Sequence, residues 1–347
     1  VNPEQHAPAR VPSTRPTPAG SCRLSIVVPC FNEADSLAAL HGRLTAVAQR
    51  TVGESYEIVL VNDGSTDRTL AAMRALATED SHLVCIDLAR NHGHQLALTA
   101  GLALCRGERI LIIDADLQDP PELLEEMMNR MDQGADVVYG QRQERHGETW
   151  FKKITAALFY RILYSFSSIR IPVDTGDFRL MSRRVLSVLN DMPEQHRFIR
   201  GMVAWVGFRQ EAVPYVREPR YAGSTKYTLG KMFSFAIDAI TGFSTRPLHL
   251  SFYLALTAMA GAAALALYAL VQWSKGDTIA GWTSLILVVS VFSSIQLFCL
   301  GIMGAYLGRT YLEAKRRPLF VIREVITQTG LSSGECPPSP PSSVSLS

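Results

Sequence analysis

Short apolar runs recur through the first 140 positions, each followed by a polar or glycine-bearing loop. Leu24–Pro29 reads LSIVVP, Tyr56–Asn62 reads YEIVLVN, Leu83–Leu88 reads LVCIDL and Ile110–Ile113 reads ILII. Runs this apolar are what a parallel strand covered on both faces requires. Helical stretches separate them: one capped by Asp35 or Ser36 and running to about Arg50, one at Thr69–Ala77 behind Ser65, Thr66 or Asp67, and one at Gln95–Leu104. Asp136–Tyr139 predicts a further strand. The alternation predicts an α/β fold, a mostly parallel sheet with helices on both faces. Ligands bind such sheets at the carboxyl ends of the strands. Asp63, Asp87, Arg90, Asp114 and Asp116 fall at or near those ends.

The pattern changes in the second half. Trp150–Phe166 is amphipathic, aromatic and basic, suited to a packed helix or to a membrane surface. Thr175–Met181 reads as a glycine-containing turn before an apolar pair, with Asp177 and Arg179 in it. Lys231–Arg246 is again amphipathic. Leu248–Gln272 and Trp282–Leu307 then contain no Lys, Arg, Asp or Glu. Each reaches the roughly 20 residues that span a bilayer core of about 30 Å, which predicts two transmembrane helices. Arg246 precedes the pair, and Arg309, Lys315, Arg316 and Arg317 follow it. The positive-inside rule puts both chain ends on the cytoplasmic side. The expected organisation is a disordered arm at 1–22, an α/β domain at 23–228, amphipathic helices at 229–247 and two membrane helices at 248–308. A cytoplasmic tail at 309–347 is expected to be disordered from about 329.

Composition narrows the picture. The formal net charge over 347 residues is +2, which argues against nucleic acid as a partner. Hydrophobic residues make up 47% and mean hydropathy is +0.10, with the excess concentrated after Leu248. The 6 cysteines are scattered without a C-x-x-C pair, as reduced thiols would be. No signal peptide is visible in the Pro-, Ala- and Arg-rich first 20 residues.

The chemistry concentrates at Ile110–Pro121, ILIIDADLQDPP. A buried strand that ends in Asp114, Asp116 and Asp119 is electrostatically costly. A divalent cation held by oxygen ligands relieves that cost, and such cations often bind nucleotide phosphates. The alternative for Asp119 is a helix cap before Pro120 and Pro121. There is no G-x-G-x-x-G after the first strand and no G-x-x-x-x-G-K-[ST], which excludes the dinucleotide and P-loop signatures. Scattered Arg and Lys are usually solvated surface, but Arg220, Ser224 and Lys226 in one glycine-bearing loop would make a good phosphate clamp.

In order along the chain, LSIVVPCFNE, VNDGSTD, DADLQDPPEL, GDFRLM, FIRGMVAWVG, the R-x-x-G-S-x-K loop and the paired apolar segments resemble the family-two inverting glycosyltransferases of GT-A fold. The resemblance spans about Leu24 to Val325 and is narrowest to the polyprenyl-phosphate group, the bactoprenol glucosyltransferases and dolichyl-phosphate mannosyltransferases. It implies that Pro29, Asn32, Glu33 and Asp63, with Arg90 and Asp114, bind a nucleotide sugar. It implies that Asp114, Asp116 and Gln118 hold Mg2+ or Mn2+, and that Asp116 and Asp177 serve catalysis. Arg142, Arg220, Ser224 and Lys226 would hold the lipid phosphate. Many relatives have Lys in the segment that reads Asn91-His92-Gly93-His94 here. The implied reaction moves one sugar, glucose from UDP-glucose, to undecaprenyl phosphate at the cytoplasmic face of a bacterial membrane, in a homo-oligomer touching membrane lipid. GDP-mannose as donor is the alternative. A processive polysaccharide synthase is disfavoured because no Q-x-x-R-W is present. A non-catalytic scaffold and a diacylglycerol acceptor are disfavoured by the complete acidic and basic set.

Overall fold

The computed structural model describes residues 22–143, 175–217, 246–275, 281–328 and 330–333. They divide into two compact units, one holding 22–143, 175–217 and 318–333, the other 246–275 and 281–317.

The first unit is built on a sheet. Its strands are β1 (Leu24–Cys30), β2 (Tyr56–Asn62), β3 (Leu83–Leu88), β4 (Arg109–Ile112), β5 (Val137–Arg142), β6 (Thr175–Ser182), β7 (Gln210–Tyr215), β8 (Ile322–Thr327) and β9 (Gly330–Ser333). Among the described residues their order is β7-β5-β6-β4-β1-β2-β3-β8-β9. The β4-β1-β2-β3 core is parallel, and β1 and β2 are buried at every position. This is the mostly parallel α/β sheet that the apolar runs predict.

Helices α1 (Leu37–Val52), α2 (Thr69–Glu79), α3 (His94–Leu104) and α4 (Leu124–Asp132) connect the early strands. Two more, α5 (Arg183–Asp191) and α6 (Ile199–Val206), follow β6. On α1, Leu37, Leu40, Leu44, Val47 and Ala48 are buried, the helical stripe that packs on a sheet. On α3, Gly101 lets the helix lie close on β1; a Cβ there would run into Val27 and Val61. The spacing is therefore set by the missing side chain.

Three expectations need correction. Ser36 holds the N-cap position of α1 without capping it, and its hydroxyl instead donates backward to Glu33. Thr175–Ser182 is a strand rather than a turn, antiparallel to both β4 and β5. Its pattern hides this, because buried Asp177 and Arg179 occupy the face opposite Phe178 and Leu180. The tail expected to be disordered from about 329 holds a strand at Gly330–Ser333. After residue 318 the chain rejoins the sheet: β8 pairs antiparallel with β3, and β9, inside the region expected to be disordered, pairs with β8.

The second unit contains two long helices, α7 (Arg246–Ser274) and α8 (Trp282–Lys315). Cys299 meets Ser251, and Gly261 faces Phe292, so the two run antiparallel. Windows Pro247–Tyr268 and Leu287–Lys315 are long and apolar enough to cross a membrane. Their large apolar side chains point outward: Phe252 is 64% exposed and Leu297 68%. In water such a surface would be an aggregation hazard; in lipid it is the required one. The amphipathic segments at 150–166 and 231–245 lie outside the described residues.

Candidate active site

The site grows out of the carboxyl ends of the central strands. At the end of β1, Asn32 adopts a left-handed backbone (φ 57°), which asparagine tolerates. Its amide N–H donates to Ser65 Oγ (3.0 Å), and its Oδ1 accepts from the Thr66 N–H (2.9 Å). The Glu33 N–H donates to Thr69 Oγ1 (2.8 Å). Pro29 is buried inside β1 opposite Val61. After β2, Asp63 is buried and accepts the N–H groups of His92 (2.6 Å) and Gly93 (2.9 Å). Burial raises its pKa, against the lowering effect of those two bonds. Asp63 thus fixes the loop between β3 and α3. Gly64 (φ 63°) makes this possible, since a Cβ there would lie 2.5 Å from the Asn91 nitrogen. Arg90 is exposed and donates to the Asn91 carbonyl (3.2 Å).

The acidic segment follows β4. Burial pushes the Asp114 carboxyl up to about 6, partly offset by His94, whose Nε2 lies 3.6 Å away. Asp114 Oδ1 is buried without a hydrogen-bond partner among the described residues. Asp116 accepts the Gln118 N–H (3.1 Å) and faces an Arg217 nitrogen at 3.5 Å. Between the two aspartates and Gln118, Leu117 is left-handed (φ 57°), a conformation that costs a non-glycine residue roughly 1–2 kcal/mol. Its burial against the core holds the strain in place. Gln118 is buried as well. Asp119 is not a helix cap: it accepts the Tyr215 hydroxyl and lies 4.0 Å from Arg142 and 3.7 Å from Arg217.

These residues fit a divalent cation. The donors are hard oxygens, and a buried carboxylate oxygen with no hydrogen bond among the described residues suits a cation ligand. No three His, Cys, Asp or Glu groups among the described residues form a complete cage. Mg2+ needs none, because one or two carboxylates with substrate phosphates and water suffice.

Asp177 on β6 is the hub of a second cluster. Its buried carboxylate accepts from His94 Nε2 (3.0 Å), Gln95 Nε2 (3.0 Å) and Arg200 (Nε 2.7 Å, Nη2 3.3 Å). Burial opposes its charge, but Arg200 and His94 outweigh that and hold its pKa well below the carboxylate range. Burial likewise disfavours the His94 cation, yet Asp177 and Asp114 push its pKa up to about 8. Burial pulls Arg179, on the same strand, down to about 10. Arg142, at the end of β5, donates to the Tyr215 hydroxyl (3.3 Å). It passes over Gly176, where a Cβ would lie 2.7 Å from its Nη2.

Arg217 thus joins Asp116 to Asp119, which also faces Arg142, while His94 bridges Asp114 and Asp177. Asn32, Glu33 and Asp63 form the adjoining loops. Arg220, Ser224 and Lys226 lie outside the described residues. Sequence reasoning gave no site role to Gln95, Arg200, Tyr215 or Arg217. Tyr215 and Arg217 share the alternating register at the end of β7, and that was the available signal.

Residues 25–189 match the family described as Glycosyl transferase family 2. The uncharacterized glycosyltransferase YkcC of Bacillus subtilis is 47% identical over 303 residues, 86% of this chain and 93% of that protein. The prophage bactoprenol glucosyl transferase homolog of Escherichia coli is 36% identical over 304 residues, 87% of this chain and 99% of that protein. A mannosyltransferase from Pyrobaculum calidifontis, solved with GDP-Man and Mn2+, is 19% identical with a TM-score of 0.42, covering 87% of this chain and 91% of that one. At that score the likeness adds nothing to the topology seen directly. The chain belongs to glycosyltransferase family 2 and is a glycosyltransferase.

Proposed function

We propose that the protein transfers a single sugar from a nucleotide sugar to a polyprenyl phosphate at the cytoplasmic face of a membrane, with inversion at the anomeric carbon. The observation that carries this reading is the gathering of the acidic Asp114, Asp116, Asp119 and Asp177 with the basic His94, Arg142, Arg200 and Arg217 around strand ends. A site with both charges suits a reaction with a phosphate on each side. The acceptor class is supported by the name of the E. coli relative and by the two outward-apolar helices. Glucose and UDP are the favoured sugar and nucleotide.

Asn32, Glu33, Asp63 and Arg90 hold the nucleoside end. Asp114 and Asp116, with Gln118, would hold Mg2+ or Mn2+, which when bound neutralises charge on the departing diphosphate. Arg142 and Arg217, with Arg220, Ser224 and Lys226, draw the lipid phosphate toward the sugar. A phosphate monoester has a second pKa of about 6, so at neutral pH its oxygen is already deprotonated. That oxygen forms the new bond to the anomeric carbon as the bond to the nucleoside diphosphate breaks. No general base is needed, and Asp177 is unsuited to be one: its oxygens are occupied by donors and its pKa is depressed. It orients His94 and Arg200 beside the sugar. The rate then rests on positioning and electrostatics.

The test is a panel of labelled sugar nucleotides offered with undecaprenyl phosphate, with and without EDTA. One sugar per lipid is expected, with loss in EDTA and recovery in Mn2+ or Mg2+. Asp116→Ala should abolish transfer while membrane insertion is retained. Retained transfer in that variant, or a polymeric product, would overturn the reading.

A further inference from the structure

The strand that follows the apolar helices reaches the nucleotide loops through a continuous line of hydrogen bonds. On β8, the Arg323 guanidinium donates to Asp87 Oδ2 (2.9 Å) and to the Ala89 carbonyl (2.8 Å). Asp87 is fully buried and accepts Asn62 Nδ2 at its other oxygen (2.6 Å). That bond decides which way the Asn62 amide faces, so its Oδ1 is left to accept the Ser65 N–H (3.2 Å). Ser65 Oγ then accepts the Asn32 N–H, and Asn32 Oδ1 accepts the Thr66 N–H. A second branch starts one residue before β8. The Val321 N–H donates to His92 Nε2 (3.4 Å), and the His92 N–H is held by Asp63.

We propose that Arg323 is a positioning residue for the nucleotide sugar, acting through Asp87 and Asn62 on Ser65 and Asn32. This rests on the reading of the loops after β1 and β2 as the nucleoside site. The physical basis is the buried Asp87 charge. With Arg323 present, Asp87 is a compensated anion that orders Asn62. Without it, a buried carboxylate has lost its guanidinium partner, and the surrounding loop must shift to compensate. That shift alters what Asn62 offers to Ser65. Arg323 itself is 56% exposed at its side chain and touches neither Asn32 nor Ser65, so its effect is indirect.

The experiment measures binding of UDP and UDP-glucose by calorimetry, and KM and kcat for transfer, on the full chain. Arg323→Gln should weaken nucleotide binding and raise KM for the nucleotide sugar about tenfold, with kcat within twofold. That is within the range through which residues off the ligand modulate affinity. Arg323→Lys should recover part of the loss. Adding Asp87→Asn to Arg323→Gln should recover most of it, because the buried charge is gone while the amide oxygen in its place can still accept from Asn62. Arg74→Gln is the control: Arg74 pairs with Glu324 on the same strand but is not in the line to Asn62. Its KM should stay at the wild-type value even if its melting temperature falls. Equal KM shifts in the Arg323 and Arg74 variants would overturn the proposal, leaving only strand docking. So would an unchanged KM in Arg323→Gln, which leaves the glycosyl-transfer reading standing. A wild-type chain that binds neither UDP nor GDP would overturn both. Binding without transfer to polyprenyl phosphate would overturn the acceptor assignment alone, and the calorimetric comparison would still decide on Arg323.

Discussion

Replacing Asp177 by asparagine separates a charge hub from a proton acceptor. The wild-type carboxylate accepts from His94, Gln95 and twice from Arg200, and its side chain is 1% exposed. Asparagine has one acceptor oxygen. Its NH2 group would face at least one of those donors, so one contact becomes donor against donor. The substitution also removes the Asp177 charge from beside Arg200. Breaking a buried pair from one side costs about 3–5 kcal/mol, and Arg200 is 30% exposed, so the lower end applies, about 3 kcal/mol. For a folding unit of this size that corresponds to about 6–12 °C in melting temperature. His94 loses its strongest raising partner, so its pKa should fall from about 8. Differential scanning fluorimetry in detergent gives the first quantity, and imidazole NMR gives the second. Transfer should drop as well, but the wild-type kcat/KM profile should have no acid limb that Asp177→Asn removes. A variant that melts with wild type and loses only an acid limb would refute the hub and establish a base.

Other consequences follow from packing and titration. Gly101→Ala drives a methyl into Val27 and Val61 and should cost about 1–3 kcal/mol, read as a lower melting temperature with KM unchanged. Asp80 accepts from His41 (2.8 Å), from the His82 ring (3.1 Å) and from its N–H (2.8 Å). Burial would raise its pKa, but these bonds win and lower it. Its stabilisation is therefore complete above the ordinary carboxylate value near about 4 and lost as pH falls through the depressed one. Asp80→Asn should be less stable than wild type by about 2 kcal/mol at pH 7, with the gap closing in acid. A pH-independent gap would rule out hydrogen bonding to the ionised carboxylate as the cause.

The parallel half of the fold is legible because both faces of β1 to β4 are covered, and that forces unbroken apolar runs. Strand β6 escapes because it buries Asp177 and Arg179, whose partners come from α3, α6 and neighbouring carbonyls. Polarity reads as surface until the countercharges are brought in by tertiary structure. The same reason hides Arg200 and Gln95 as site residues, since they are 23 and 82 positions from Asp177. The aspartates after β4 are legible because three carboxylates at the end of a core strand have no structural motive. Strand β8 is hidden because its pairing with β3 is set by a partner 236 residues away, as Arg323 and Asp87 show.

That separation bears on how the protein is made. When a ribosome has delivered β1 to β7, β3 still ends the sheet with its backbone groups unmatched, and Asp87 has no cation. Closure waits until both apolar helices have been synthesised and the chain has turned back. The late strand then seals an edge that would otherwise recruit a strand from another molecule. A truncated version ending before Leu248 is expected to express as aggregate, because the last piece of the soluble sheet is encoded beyond the apolar segments.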